Sequence, residues 1–240
     1  MTIDYNKWWK RENQSNSHEY HPSVRFRNYL ILNTLNNIKF NNILDVWCWD
    51  WKLLKLIWDN FSNIKLSWID IADIRIWLNK QKNNEIDFFV WDIWWEKLEL
   101  NNKFDLVICS EVIEHIENWQ NVIKNLCKLS DVYIILTTQS WKRYKSDINI
   151  WHLKHFELDE LGNEFNKYWF KIIQSYKRWR PFYDLQKWLY EKIENKAESI
   201  KTWELNLISK LLFNITYYLF LLSIKSKVLW PQIFMLLKKK

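Results

Sequence analysis

Ile43-Leu44-Asp45-Val46-Trp47-Cys48-Trp49-Asp50-Trp51 is the stretch whose reading decides the fold. An apolar run with one aspartate, residues 43–46, predicts a buried strand, and residues 52–61 behind it predict a helix. A turn from strand to helix presents main-chain N–H groups at the helix start, where a polar or anionic ligand can rest. That use needs a backbone that is bare and free to take left-handed dihedrals, which is glycine's property. Three indoles in so short a turn are the least suitable side chains for it.

The composition carries the same anomaly. The 240 residues include one glycine and 19 tryptophans. Average usage would give about 17 glycines in a chain of this length. The glycine deficit matches the tryptophan excess. The chain is also rich in Asn, Lys and Ile, as an AT-rich genome would encode. These facts suggest that most of the tryptophans stand where the organism inserts glycine, through a UGA codon reassigned to glycine and translated here by a table that gives Trp. Trp47, Trp49, Trp51, Trp68, Trp91, Trp94, Trp95, Trp141, Trp169 and Trp230 fall mostly at expected turns or caps. Trp188 shares a helix face with Leu185, Leu189 and Ile193 and reads as a genuine tryptophan. Trp8, Trp9, Trp77, Trp119 and Trp203 fit either reading.

Outward from the quoted stretch, short apolar runs alternate with helical stretches. Helices are expected at 24–35, 52–61, 74–81, 118–129 and 158–168, and strands at 43–46, 65–69, 86–90, 104–110, 132–137, 170–176 and 232–237. Such alternation predicts a parallel sheet covered on both faces. Residues 1–22 form a polar N-terminal segment without the pattern of a signal peptide, and 23–240 one domain. The net charge of +7 has no Arg-rich block, so no nucleic-acid partner is expected. Cys48, Cys109 and Cys127 are an odd set without metal-like spacing, which suggests a reduced, cytoplasmic setting and no metal.

Read with glycine at 47, 49 and 51, the quoted stretch resembles motif I of class I S-adenosylmethionine-dependent methyltransferases. Three further stretches keep the register. Trp68-Ile69-Asp70-Ile71 ends the second strand, Trp91-Asp92-Ile93 the third, and 104–116, with Ser110 and Glu114-His115, resembles the fourth strand and its continuation. Tyr168-Trp169-Phe170 resembles the entry to the sixth strand. The resemblance covers residues 24–176. It implies a Rossmann-like, seven-stranded, mostly parallel sheet with a helical insertion before an antiparallel last strand, and S-adenosylmethionine as cofactor. It also implies that Asp45, Trp47, Cys48, Trp49 and Trp51 bound the methionine end. Asp70 and Ile71 would hold the ribose, Asp92 and Ile93 the adenine, and Ser110 and Arg27 or Arg25 the methionine part. The loop 151–156 is similar to that of quinone-pathway O-methyltransferases, which makes oxygen the expected target and His115, His152 and His155 the candidate bases. The acceptor is expected to be a small molecule or a lipid- or glycan-linked one.

Two other classes stay open. A dinucleotide-dependent oxidoreductase would use a similar loop, although its fingerprint spaces the third glycine differently. An inactive, membrane-associated binding module would follow if the indoles are literal. Residues 178–230 read as an insertion on the substrate side. Within 203–240, Asn206, Lys210 and Asn214 recur four apart on an otherwise apolar helix. Such a helix is either a lid on the domain or an interfacial helix touching the inner face of an anionic membrane, aided by Lys225, Lys227 and 238–240.

Overall fold

The computed structural model describes residues 20–47, 52–81, 85–93, 102–140, 143–177, 207–222 and 232–240. Helix α1 (Pro22–Leu35) precedes β1 (Asn42–Val46), α2 (Lys52–Asn60), β2 (Lys65–Asp70), α3 (Asp73–Lys80) and β3 (Ile86–Val90). Then follow β4 (Phe104–Ser110), a 3-10 turn at Ile113–His115, α4 (Trp119–Leu129), β5 (Ser130–Gln139), α5 (Lys145–Asn149), α6 (Leu158–Asn166), β6 (Phe170–Lys177), α7 (Leu207–Leu222) and β7 (Gln232–Lys239).

The seven strands form one sheet in the order β3-β2-β1-β4-β5-β7-β6. Strands β1 to β5 pair in parallel, and β7 runs antiparallel to both β5 and β6. The strand order reverses between β1 and β4, so the crevice outside their carboxyl ends is where such a sheet takes a ligand. One face is covered by α4 and α6 through Val122, Ile123, Leu126, Leu161 and Phe165. The other is covered by α1, α2, α3 and α7 through Phe26, Leu30, Leu54, Ile76 and Phe220. This is the expected fold. Strand β5 extends beyond the expected 132–137 because β7 pairs along it from Tyr133 to Gln139.

Among the described residues, five non-glycine residues have positive φ: Trp47 (54°), Asn63 (61°), Glu111 (58°), Trp151 (62°) and Trp169 (66°). Three are tryptophans, a residue for which this region is strained. Trp68 keeps the place in the second strand expected for residues 65–69, and so is no turn residue. It lies inside β2, fully buried, with its ring centroid 5.6 Å from that of Phe88. Trp119 opens α4 as a core residue against Phe156. Cys48, Trp49, Trp51 and Trp188 lie outside the described residues.

Of the insertion at 178–230, only α7 is described. It packs on α1 through the fully buried Phe220, whose ring centroid is 6.0 Å from that of Phe26, with half-buried polar residues at the edge of the contact. Arg25 Nη1 donates to Asn214 Oδ1 at 2.6 Å and its guanidinium lies 4.0 Å from the Tyr217 ring centroid, while Lys210 Nζ lies 5.0 Å from that of Tyr20. Leu207, Leu211, Ile215, Tyr218 and Leu222 are exposed along an adjoining side. Of the two arginines expected near the ligand, Arg25 thus has its head group against α7. Among the described residues, no helix is long and apolar enough to cross a membrane.

Candidate active site

The carboxyl ends of β1, β2 and β3 meet at a cleft lined by Val46, Trp47, Ile69, Asp70, Ile71, Trp91, Asp92 and Ile93. Parallel register explains the convergence, since Val46 stands opposite Ile69 and Asp70 opposite Val90. Local hydrogen bonds then fix the rim. Trp47 N–H donates to Ile69 O at 2.7 Å and Trp91 N–H to Asp70 O at 3.0 Å. Asp70, 1% exposed, accepts the Ala72 N–H at 2.8 Å and so shapes the turn into α3. Asn125 of α4 reaches across to donate to Ile93 O at 2.7 Å. Asp45 is fully buried on β1, between Trp68 and Ile108 of the neighbouring strands.

This donor set suits a nucleoside. Two carboxylates that accept from hydroxyl and amino groups share a cleft with the apolar walls Val46, Ile69 and Ile93. Trp47 and Trp91 line the same cleft and pack against the core beneath it. Of the expected cofactor-binding residues, the structure brings Trp47, Asp70, Ile71, Asp92 and Ile93 to one cleft, with Asp45 buried on the adjoining strand.

Ser110 and Arg27 belong to a second group, at the end of β4. Ser110 Oγ lies 2.9 Å from Thr137 Oγ1. Glu111, at φ 58°, is the hub that sequence reasoning assigned no role. Its carboxylate accepts from Thr137 Oγ1 at 2.9 Å, from Gln232 Nε2 at 2.8 Å and from Gln139 Nε2. Burial alone would raise its pKa; the Arg27 charge and these three donors outweigh it and hold the carboxyl below the usual range. Arg27 therefore faces a protein carboxylate at this end of the sheet. Glu114, fully buried, has the opposite fate: burial, and then the Glu111 charge, push its pKa well up. Its Oε2 accepts from Thr138 Oγ1 at 2.9 Å, while Oε1 has no hydrogen-bond partner among the described residues.

The three candidate histidines do come together. The His115 and His152 ring centroids are 4.8 Å apart, edge to face, and His152 Nδ1 lies 3.0 Å from His155 Nε2. The His115 ring lies 6.4 Å from that of Trp47, which joins the cluster to the cofactor cleft. Burial lowers the His115 pKa, and burial followed by the His115 charge lowers that of His152 to about 3, so both are neutral near pH 7. Asp147, absent from the sequence expectations, lies beside them with Oδ2 4.0 Å from His155 Nε2. The spacing Asp147-x4-His152-x2-His155 was the available signal, but only the five-residue helix α5 turns the aspartate inward.

Comparison with known proteins accords with this geometry. A family profile described as "Methyltransferase domain" matches residues 19–188. Among solved structures, the N-methyltransferase NodS from Bradyrhizobium japonicum WM9, in complex with S-adenosyl-L-homocysteine, aligns over 99% of both chains at 11% identity and TM-score 0.61. Magnesium protoporphyrin IX methyltransferase from Synechocystis PCC 6803, with bound S-adenosyl-L-homocysteine, aligns over 98% of this chain and 94% of its own at 14% identity and TM-score 0.56. Phosphoethanolamine N-methyltransferase 2 from Haemonchus contortus, in complex with S-adenosyl-L-methionine, aligns over 99% of this chain and 60% of its own at 14% identity and TM-score 0.60. No curated protein matches the chain significantly. The structural likenesses establish the fold, and the profile spans more than half of the residues: the chain belongs to the methyltransferase domain family.

Proposed function

We propose that this protein transfers a methyl group from S-adenosylmethionine to an oxygen of a small, lipid-linked or glycan-linked acceptor. One observation carries the reading: Asp70 and Asp92 share a cleft at the carboxyl ends of β1, β2 and β3, beside the topological switch between β1 and β4. Asp70 accepts from the ribose hydroxyls, Asp92 from the adenine amino group, and the loop after β1 takes the methionine end. The bound cofactor supplies the electrophilic methyl. The protein supplies alignment and exclusion of water, effects that contribute up to about 7–11 kcal/mol in well-oriented reactions. His115 is the histidine next to the cofactor end and, being neutral, takes the base role toward an acceptor hydroxyl.

The reading includes glycine at positions 47, 49 and 51 in the organism's own protein. Support comes from the left-handed φ of Trp47 and from its place in the lining of the cleft. Intact mass and peptide sequencing of protein made in its native host test this directly, because each Trp-to-Gly difference removes the indole mass. Calorimetric titration with S-adenosylmethionine, S-adenosylhomocysteine and NAD tests the cofactor. Binding of the first two is expected, and binding of NAD alone would sink the reading.

The exposed apolar row of α7 favours a lipid-linked acceptor met at an anionic surface on the cytoplasmic side. Co-sedimentation with anionic vesicles, lost on Leu211→Lys and Tyr218→Lys substitution, checks that part alone.

A further inference from the structure

The loop between β5 and α6 places three side chains as ligands are placed around an ion. Asp147 and the side chain of His155 are 0% and 4% exposed, and His152 is 6% exposed. His152 Nδ1 and His155 Nε2 are 3.0 Å apart, and Asp147 Oδ2 is 4.0 Å from His155 Nε2. One ligand atom from each residue falls within 4.8 Å of the others. Nitrogen and oxygen ligands about 2.0–2.2 Å from a tetrahedral ion stand about 3.3 Å apart, so closing the widest separation by up to about 1.5 Å sets the three around one.

The loop is held in this shape by the main chain. His152 N–H donates to Asp147 O at 3.0 Å, and Trp151, at φ 62°, donates to Ile148 O at 3.0 Å. Arg143 Nη1 donates to the carbonyls of His152 at 2.9 Å and Leu153 at 2.7 Å. Leu153 N–H donates to Glu114 O at 2.7 Å and Phe156 N–H to Gln139 O at 2.9 Å, which ties the loop to β5 and to the turn after β4. Donors fixed in advance by their surroundings are what a metal site requires.

We infer that Asp147, His152 and His155 bind a divalent transition-metal ion at the acceptor end of the sheet. Two imidazoles and one carboxylate suit zinc, cobalt or ferrous iron and not the harder magnesium ion. Three protein ligands leave a coordination position open, as in catalytic zinc sites, and an oxygen of the acceptor fits that position. The acceptor role rests on the methyl-transfer reading above; ion binding does not. His152 and His155 then leave the set of general bases, and the absence of any metal pattern in the cysteine spacing is explained by a site without cysteine.

The test uses the full chain, stripped with chelator and titrated with Co2+ and then Zn2+ in the absence of cofactor. One equivalent of Co2+ is expected to produce visible d–d absorption of a nitrogen- and oxygen-ligated ion, displaced by Zn2+ and untouched by Mg2+. Zn2+ should also raise the thermal midpoint of the wild-type chain, a readout that needs no variant to fold. Asp147→Asn and His155→Ala should each weaken Co2+ binding at least tenfold, while His21→Asn should not. No absorption in the wild-type chain would overturn the inference. So would absorption that survives Asp147→Asn and His155→Ala but is lost in Glu114→Gln, since the ion would then sit on Glu114, His115 and His152. Cofactor titration run separately shows whether the methyl-transfer reading stands or fails on its own.

Discussion

The two halves of the sheet's carboxyl edge are built on different principles. At the ends of β1, β2 and β3 the walls are set mainly by main-chain hydrogen bonds: Trp47 to Ile69, Trp91 to Asp70, Ala72 to the Asp70 carboxylate. At the ends of β4, β5 and β7 the edge is closed by side chains, with Thr137, Gln139 and Gln232 converging on Glu111 and the histidines stacked beside it. The first construction leaves a cleft whose chemistry rests on two carboxylates. The second leaves a dense polar cluster in which side chains hydrogen-bond one another. Main-chain recognition suits an invariant cofactor, whereas a side-chain cluster changes with each substitution and suits an acceptor peculiar to one enzyme.

The sharpest way to break this division is Asp70→Ala. It should lower S-adenosylmethionine affinity at least a hundredfold in calorimetric titration, and unchanged affinity would remove the cofactor from this half of the edge. Glu111→Gln acts on the other half. It removes the charge that answers Arg27 and disturbs a three-donor cluster, and should cost about 2–3 kcal/mol in urea unfolding while cofactor affinity changes less than threefold. An affinity loss as large as that of Asp70→Ala would merge the two halves into one site. Trp169→Gly lies away from both. At φ 66° and 71% exposed, the indole offers strain and little packing, so glycine should stabilise the fold by about 1 kcal/mol. A loss instead would show that left-handed tryptophans are tolerated here and weaken the case for glycine at position 47. Smallest is the alkylation by thiol reagents at pH 8 expected at Cys109 and Cys127, read by peptide mapping. Cys109 and Cys127 are buried and burial raises both thiol pKa values, so neither should alkylate until the chain unfolds.

The parallel half of the fold is legible in the sequence because buried strands such as Leu106, Val107 and Ile108 are unbroken apolar runs. The carboxylates of the cleft are legible because each ends such a run. The burial of Trp68 is not, since an indole between Ser67 and Ile69 can face solvent or core until the β1 and β3 neighbours are known. The partner of α7's polar residues is hidden for a related reason. Spacing shows that Lys210 and Asn214 share a side, but only the fold brings Arg25, 189 residues from Asn214, against it. The Glu111 cluster draws on β5 and β7, and no local pattern joins residues 111, 139 and 232.

Strand β7 sits between β5 and β6 and joins them in the sheet. A nascent chain therefore emerges from the ribosome with β6 already made but nothing to pair it with, and with one edge of β5 bare, until residues 232–239 follow. Translation that stalls in the intervening stretch would release a sticky, half-finished sheet, so cells making this protein should depend on chaperones during that interval more than its size alone would suggest.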